Sequence, residues 1–283
     1  MDMGVSGWRL DVADELSDVF LDEFRRAVHR YNGDGAVIGE VWEDATNKVA
    51  YGNRRKYLRG GQLDSVMNYP FRDAVIEYTR YGNSEKFRSV TEGIFRRYPM
   101  SASLSCMNFL GTHDTVRALT ALAGVSSDGK SAAELKDIRL SPEERVMGER
   151  MLAFAYRIMT ALPGAVCVFY GDEAGMEGYG DPFCRRTYPW GRESGALISA
   201  YREAGDARRR SSALRCGEYT VDTATPDLLI LHRFTDTEDV ICVFFRGEGV
   251  YSAEVPDGYE VLLPSPHGDK LHKFDSVFFT KHI

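Results

Sequence analysis

Three acidic residues stand at comparable places in this chain: Asp11 in GWRLDV, Glu40 in AVIGEVW and Asp114 just after CMNFLGT. Each closes or follows a short apolar run that reads as a buried strand. An ionisable side chain there is expensive unless it is paired or lies at a strand end. The same pattern recurs at Asn68 after DSVM and at Asp172-Glu173 after VFYG. A single such carboxylate reads equally well as a helix cap or a solvated loop residue. Asp11, Glu40 and Asp114 together read as a convergent pocket.

Converging carboxylates suit cleavage of a glycosidic bond. With retention of configuration, one carboxylate serves as nucleophile and one carboxylic acid as proton donor, about 5–5.5 Å apart. Alternation along the first strand puts Arg9 on the same face as Asp11, where its charge would keep that carboxylate ionised and oriented. Glu40 follows Gly39 and precedes Val41-Trp42, and apolar neighbours favour the neutral form that a general acid needs. Asp114 could then stabilise positive charge on a sugar ring, with His113 donating to sugar hydroxyls. Spacing alone leaves these roles open.

The elements that would position these groups alternate. Strand-like runs at 7–12, 36–42, 63–69, 106–112 and 165–170 are separated by helical patterns over Leu16–Tyr31, Phe71–Tyr81, Ser84–Arg97 and Pro142–Leu162. Strands alternating with helices predict βαβ units and a parallel sheet. Polar groups at the strand C-termini predict the functional rim of a (β/α) barrel. On the first strand, Trp8, Leu10 and Val12 are predicted to pack on helices, with Arg9 and Asp11 facing inward. The polar, small-residue stretch Gly124–Leu140 reads as an inserted loop. After Arg208-Arg209-Arg210, taken as a solvated helix end, short β-branched and aromatic runs with turns every 8–12 residues predict an all-β sandwich. Its aromatics (Phe234, Phe244, Phe245, Tyr251, Phe278 and Phe279) read as core.

Composition bounds the function. A formal net charge of -7 over 283 residues disfavours nucleic acid as a partner. The five cysteines include no CxxC pair, which argues against a disulfide framework and a zinc site and suits a cytoplasmic, reducing compartment. His267 and His272 have no metal-like partners at workable spacing, so no metal and no cofactor are assigned. The sequence contains no 18-residue apolar run, so no membrane partner is expected.

Taken together, GWRLDVADE, GEVW, FLGTHDTVR and VFYGDEAGMEG resemble, in order, the nucleophile strand, the acid/base strand, the third-acid strand and the last barrel strand of the α-amylase superfamily of glycoside hydrolases. Within it, Val12-Ala13 before Asp14-Glu15, Trp42 directly after the acid, Thr115 and Arg117, and MNYPFRDAV at 67–75 are similar to the neopullulanase, cyclomaltodextrinase and maltogenic amylase group. The resemblance implies Asp11 as nucleophile, Glu40 as acid/base and Asp114 as transition-state stabiliser. It implies Arg9, His113, Trp42, Asp181 and Arg185 as sugar contacts, the last two from DPFCRRTYPW at 181–190.

The resemblance also implies a fold class: α/β, a partial (β/α)8 TIM barrel of strands four to eight over 1–207, followed by a small β-sandwich over 208–283. The first three βα units and the Asp-x-x-x-x-Asn-His motif after the third strand have no counterpart in the sequence. The expected function is retaining hydrolysis of α-1,4 or α-1,6 glucosidic bonds in maltodextrins, cyclodextrins or pullulan, with transglycosylation left open. The alternative is a catalytically silent truncated fragment that at most binds α-glucan oligosaccharide or self-associates, as a homo-oligomer, through an open barrel edge.

Overall fold

The computed structural model describes residues 3–283. Strand β1 (Gly7–Leu10) leads into helix α1 (Asp18–Tyr31), whose start is fixed by the Ser17 side chain accepting the Phe20 N–H. Such a cap contributes about 1 kcal/mol. Strand β2 (Ala36–Gly39) then pairs parallel to β1, Leu10 lying opposite Gly39. A short hairpin, β3 (Val49–Ala50) with β4 (Asn53–Arg54), precedes β5 (Ser65–Val66), which pairs parallel to β2. Helices α2 (Tyr69–Tyr81), α3 (Ser84–Arg97) and α4 (Met100–Ser105) follow. Strand β6 (Met107–Asn108) is joined to the end of β5 by a parallel bridge between Met67 and Met107. After α5 (Ala118–Ala123), α6 (Ala132–Asp137) and α7 (Pro142–Ala161), strand β7 (Ala165–Val166) pairs parallel to β6.

Strands β1, β2, β5, β6 and β7 therefore lie side by side in chain order, all parallel; helices connect them except between β2 and β5, where the β3–β4 hairpin stands. A small cluster of Met67, Tyr69 and Phe109, with Ile38, Met107 and Cys167 against it, packs separately from the main core. Asn68 and Asn108 sit in the same region, fully buried: Asn68 Nδ2 donates to Asn108 Oδ1 (2.9 Å) and Asn108 Nδ2 donates to the Pro163 carbonyl (2.8 Å). These bonds tie β5, β6 and β7 together where polar groups would otherwise be buried unpaired.

Helices α8 (Gly195–Arg210) and α9 (Ser212–Cys216) connect to an antiparallel region. There β8 (Glu218–Ala224), β9 (Leu228–Phe234), β10 (Glu238–Phe245), β11 (Tyr251–Ser252), β12 (Glu260–Leu263), β13 (Lys270–Leu271) and β14 (Asp275–His282) follow. Five of them form one sheet in the order β12-β14-β10-β9-β8, and β11 pairs with β13. Phe244 of this sheet stands edge-on to Phe154 of α7 and Phe278 edge-on to Phe244, both in the main core, whereas Phe245 and Phe279 pack in a separate cluster with Tyr251 against it and Phe234 is only partly buried. The fully buried Arg233 of β9 donates to the Ala161 carbonyl at the end of α7 (2.9 Å). A cation suits that negative helix end.

Four local expectations are corrected. Gly124–Leu140 is not all loop: Ser131 and Glu134 form a reciprocal capping box that starts α6, a signal outweighed in the sequence by the small, polar composition. Val12 does not pack on helices. The strand ends at Leu10, Val12 is left-handed (φ 42°) and exposed, and Trp8 is also exposed apart from an edge contact with Phe24. Arg208 is not a solvated helix end, because it donates to the carbonyls of Thr160 (2.6 Å) in the last turn of α7 and of Leu162 (3.1 Å) and Gly164 in the turn before β7. Burial pushes its guanidinium down to about 10. Asp172 is not at an open rim but buried beside Arg117. Among the described residues, no helix is long and apolar enough to cross a membrane.

Candidate active site

The C-terminal ends of β1 and β2 carry the first cluster. Arg9 Nη1 bonds Asp11 Oδ1, and Arg9 Nη2 stands 3.0 Å from Glu40 Oε1 without hydrogen-bond alignment, an ion pair by proximity. One guanidinium thus spans both carboxyls and brings them to a single place. Asp11 is 74% exposed and Glu40 only 3%. The exposed carboxylate can approach a ligand, whereas the buried one is held.

What holds Glu40 is specific. Its Oε2 accepts the Val12 N–H at 2.7 Å and its Oε1 accepts the Tyr69 hydroxyl at 3.2 Å. Its own backbone N–H donates to the Leu10 carbonyl (2.9 Å), and its carbonyl accepts the Ala13 N–H (3.1 Å). The left-handed backbone at Val12 is strained for a β-branched residue. Those bonds to Glu40 over-determine it, as strain of this kind requires. Gly39 packs closely beside it: a Cβ there would lie 2.4 Å from Leu63 Cδ1, so the Leu63 side chain would have to move. The adjacent loop is held by Asp14, which accepts from Tyr57 (2.6 Å) and pairs with Lys48 (2.8 Å).

The loop after β6 carries the second cluster. Asp114 pairs with His113 Nε2 at 3.0 Å and with Arg185 Nη2 at 3.2 Å, and Arg185 Nε lies 3.0 Å from Asp181 and donates to the His113 carbonyl (2.9 Å). The loop shape comes from Thr112 and Thr115: the Asp114 N–H donates to Thr112 Oγ1 (3.2 Å) and the Thr112 N–H to Thr115 Oγ1 (3.0 Å). Asp181 precedes a cis proline, Pro182. His113, Asp114, Asp181 and Arg185 are all partly or well exposed, so their free atoms are open to a ligand.

Between the clusters lies Tyr69, which the sequence reading passed over within MNYPFRDAV. It is 2% exposed; burial first, then the charges of Glu40 and Asp114, hold its phenol well above the ordinary tyrosine range, as a neutral donor. Trp42 stacks on its ring, centroids 4.1 Å apart at 14°, and is itself about half exposed. The structure therefore brings Arg9, Asp11, Glu40 and Trp42 together around Tyr69, and His113, Asp114, Asp181 and Arg185 together on the other side. The only signal for Tyr69 in the sequence was an aromatic hydroxyl directly after the polar end of a strand.

Among the described residues, no group of three or more His, Cys, Asp and Glu side chains is placed to hold a metal ion. Arg117 and Asp172 form a separate, sealed pair (3.1 Å). Arg117 also donates to the carbonyls of Cys184 (2.7 Å) and Tyr170 and lies 4.1 Å from the centre of the Phe169 ring. Burial pushes Asp172 up to about 6, partly offset by Arg117.

Parallel βα units with polar groups gathered at the strand ends define an α/β protein of the TIM-barrel type. Residues 1–213 match the alpha-amylase catalytic domain, and the chain belongs to that family. It is similar to a cyclomaltodextrinase from a Bacillus species, 32% identical over 250 residues that cover 87% of this chain and 39% of that protein. It is 34% identical over 221 residues to neopullulanase 2 of Thermoactinomyces vulgaris, covering 77% of this chain and 32% of that protein. The chain thus spans less than half the length of these curated relatives. Among solved structures, it superposes with a TM-score of 0.77 and 26% identity on the cyclic alpha-maltosyl-(1→6)-maltose hydrolase from Arthrobacter globiformis in complex with cyclic alpha-maltosyl-(1→6)-maltose. That match covers 99% of this chain and 57% of the other.

Proposed function

We propose that this chain carries the acid cluster of a retaining glycoside hydrolase acting on α-1,4 and α-1,6 glucosidic bonds of maltodextrins, cyclodextrins or pullulan. The observation that carries the reading is the Arg9 guanidinium in contact with both Asp11 and Glu40. A retaining mechanism needs two carboxyls about 5–5.5 Å apart, and one guanidinium spanning both supports that geometry. Asp11, exposed and charge-paired, attacks the anomeric carbon. Glu40, held by Val12 and Tyr69, gives its proton to the leaving oxygen and then takes one from the water that hydrolyses the glucosyl-enzyme. Asp114 faces the developing positive charge on the sugar, while Arg9, His113, Asp181 and Arg185 contact its hydroxyls and Trp42 offers an apolar face to a ring.

The same reading takes β1, β2, β5, β6 and β7 as strands four to eight of a (β/α)8 barrel over 1–207, with a β-sandwich over 208–283. The parallel order of the five strands and the 5-plus-2 arrangement of the antiparallel ones support this division. The test is release of reducing sugar from a maltodextrin by the chain, with product anomers followed by NMR. Turnover abolished by Asp11→Asn and by Glu40→Gln, with the α-anomer formed first, is the expected result. A β-anomer overturns retention, and turnover that survives either substitution overturns the assignment.

A second reading, glucan binding or self-association without turnover, draws on one observation. Trp8 of β1, and Val168 and Tyr170 just beyond β7, are all exposed, and β1 and β7 each have one strand neighbour among the described residues. Sedimentation of the chain decides it: a monomer that turns over removes this reading.

A further inference from the structure

We propose that Tyr69 is a positioning residue with two separable tasks: its hydroxyl orients the carboxyl of Glu40, and its ring backs Trp42 as a platform for a sugar. This deepens the proposed function and rests on its assignment of Glu40.

The geometry divides the tasks. Glu40 is buried, so its two oxygens can be steered only by the groups that touch them: Arg9 Nη2 and the Tyr69 hydroxyl at Oε1, and the Val12 N–H at Oε2. Of these, Arg9 also serves Asp11, and the Val12 N–H is fixed by the backbone. The Tyr69 hydroxyl is the one side-chain donor committed to Glu40 alone. A neutral donor suits this place, because it orients the carboxyl without adding, beside Arg9, a second cation that would disfavour the protonated form a general acid needs. Tyr69 itself cannot swing away. It starts α2, fixed by the Asn68 cap; its ring stands edge-on to Phe109, 4.9 Å between centres; and Met67 packs in the same cluster.

The other face of the ring meets Trp42. An exposed indole ordinarily populates several rotamers, and each immobilised side chain costs about 0.5–1.5 kcal/mol on binding. Stacking on a buried tyrosine restricts it before a ligand arrives. Trp42 lies two residues after Glu40, so the rigid ring that holds the acid also holds the platform.

The experiment uses the full chain labelled with 13C at the glutamate side-chain carboxyl, the Glu40 signal being assigned with Glu40→Gln. Tyr69→Phe keeps the ring and removes the hydroxyl. Its Glu40 signal is expected to titrate about one pH unit higher than in the parent, because one donor to the carboxylate is gone. Arg9 and Asp11 at the end of β1, and His113 and Asp114 after β6, face this region in both proteins and cancel in the comparison. The near-UV circular dichroism of Trp42 stays as in the parent. A titration that does not move overturns the hydroxyl task.

Tyr69→Leu removes the ring, and its affinity for maltotriose, measured by calorimetry, is expected to fall at least about fivefold. An affinity within about twofold of the parent overturns the platform task, as does a parent that binds no maltotriose. Tyr69→Phe, which keeps the ring, retains the parent's affinity; a loss there as large as in Tyr69→Leu also overturns the division. Neither readout needs turnover, so failure here is separate from failure of the acid/base assignment, which the Glu40→Gln turnover assay reads.

Discussion

Two arginine–carboxylate groups lie near the ends of the parallel strands, and they do opposite things. Arg9 joins an exposed Asp11 to a buried Glu40, leaving one carboxylate in contact with water and the other held directly beneath it. Arg117 is wholly buried, pressed on Phe169 and Tyr170, and its partner Asp172 is sealed behind Gly111, where a Cβ would lie 2.2 Å from the carboxylate. The residue types are the same. What differs is access, and access decides whether an ion pair can do chemistry or only fix a loop. A buried pair is weak evidence for stability, but removing one of its partners is costly because a bare charge remains.

Glu40→Gln and Asp11→Asn are expected to lower turnover of a maltodextrin by at least about 10³-fold, and at the exposed Asp11 the urea midpoint of unfolding shifts little. A large loss of stability in Asp11→Asn would erase the distinction between the clusters. At the sealed pair the expectation is reversed. Arg117→Met should cost about 3–5 kcal/mol in urea denaturation at pH 8, and the double variant with Asp172→Asn should recover part of that loss. If Arg117→Met unfolds at the parent's urea midpoint, the pair is not structural.

Next comes a pH dependence of stability. Burial pushes Asp172 up to about 6, above its ordinary value of 3.8, so the fold prefers the protonated form. The stability this gives is complete below about pH 4 and is lost as pH rises through about 6. The difference in unfolding free energy between parent and Asp172→Asn should therefore change by at most about 3 kcal/mol between pH 4 and 7, the parent losing ground as pH rises. A flat difference curve contradicts the assigned burial. The smallest expected effect returns to the open side. Trp42→Ala should weaken maltotriose binding about tenfold, the worth of one aromatic contact, and an unchanged dissociation constant would remove Trp42 from the site.

The open cluster was far more legible in the sequence than the sealed one. Arg9 and Asp11 could be read because two charges in an apolar strand need a reason, and alternation gave it: both had to face away from the helices. Asp172 looked the same from its position after VFYG, yet its partner Arg117 is 55 residues earlier. No local pattern reports such a pairing. Val12 misled the same alternation argument, because the strand stops at Leu10 and the backbone turns left-handed two residues later to reach Glu40. Arg208 was read as solvated for want of any sign that the carbonyls of Thr160, Leu162 and Gly164 would converge on it.

By itself the sequence determined the alternation of strands and helices, the change to antiparallel strands after about residue 210, and the placing of acids at strand ends, since each follows from local periodicity. Only the tertiary structure decided which acids meet, which remain in water and which tyrosine bonds Glu40. Those depend on side chains from β1, β2, α2 and the loop after β6 arriving at one point, and contacts between residues 29 to 58 positions apart leave no trace in local spacing.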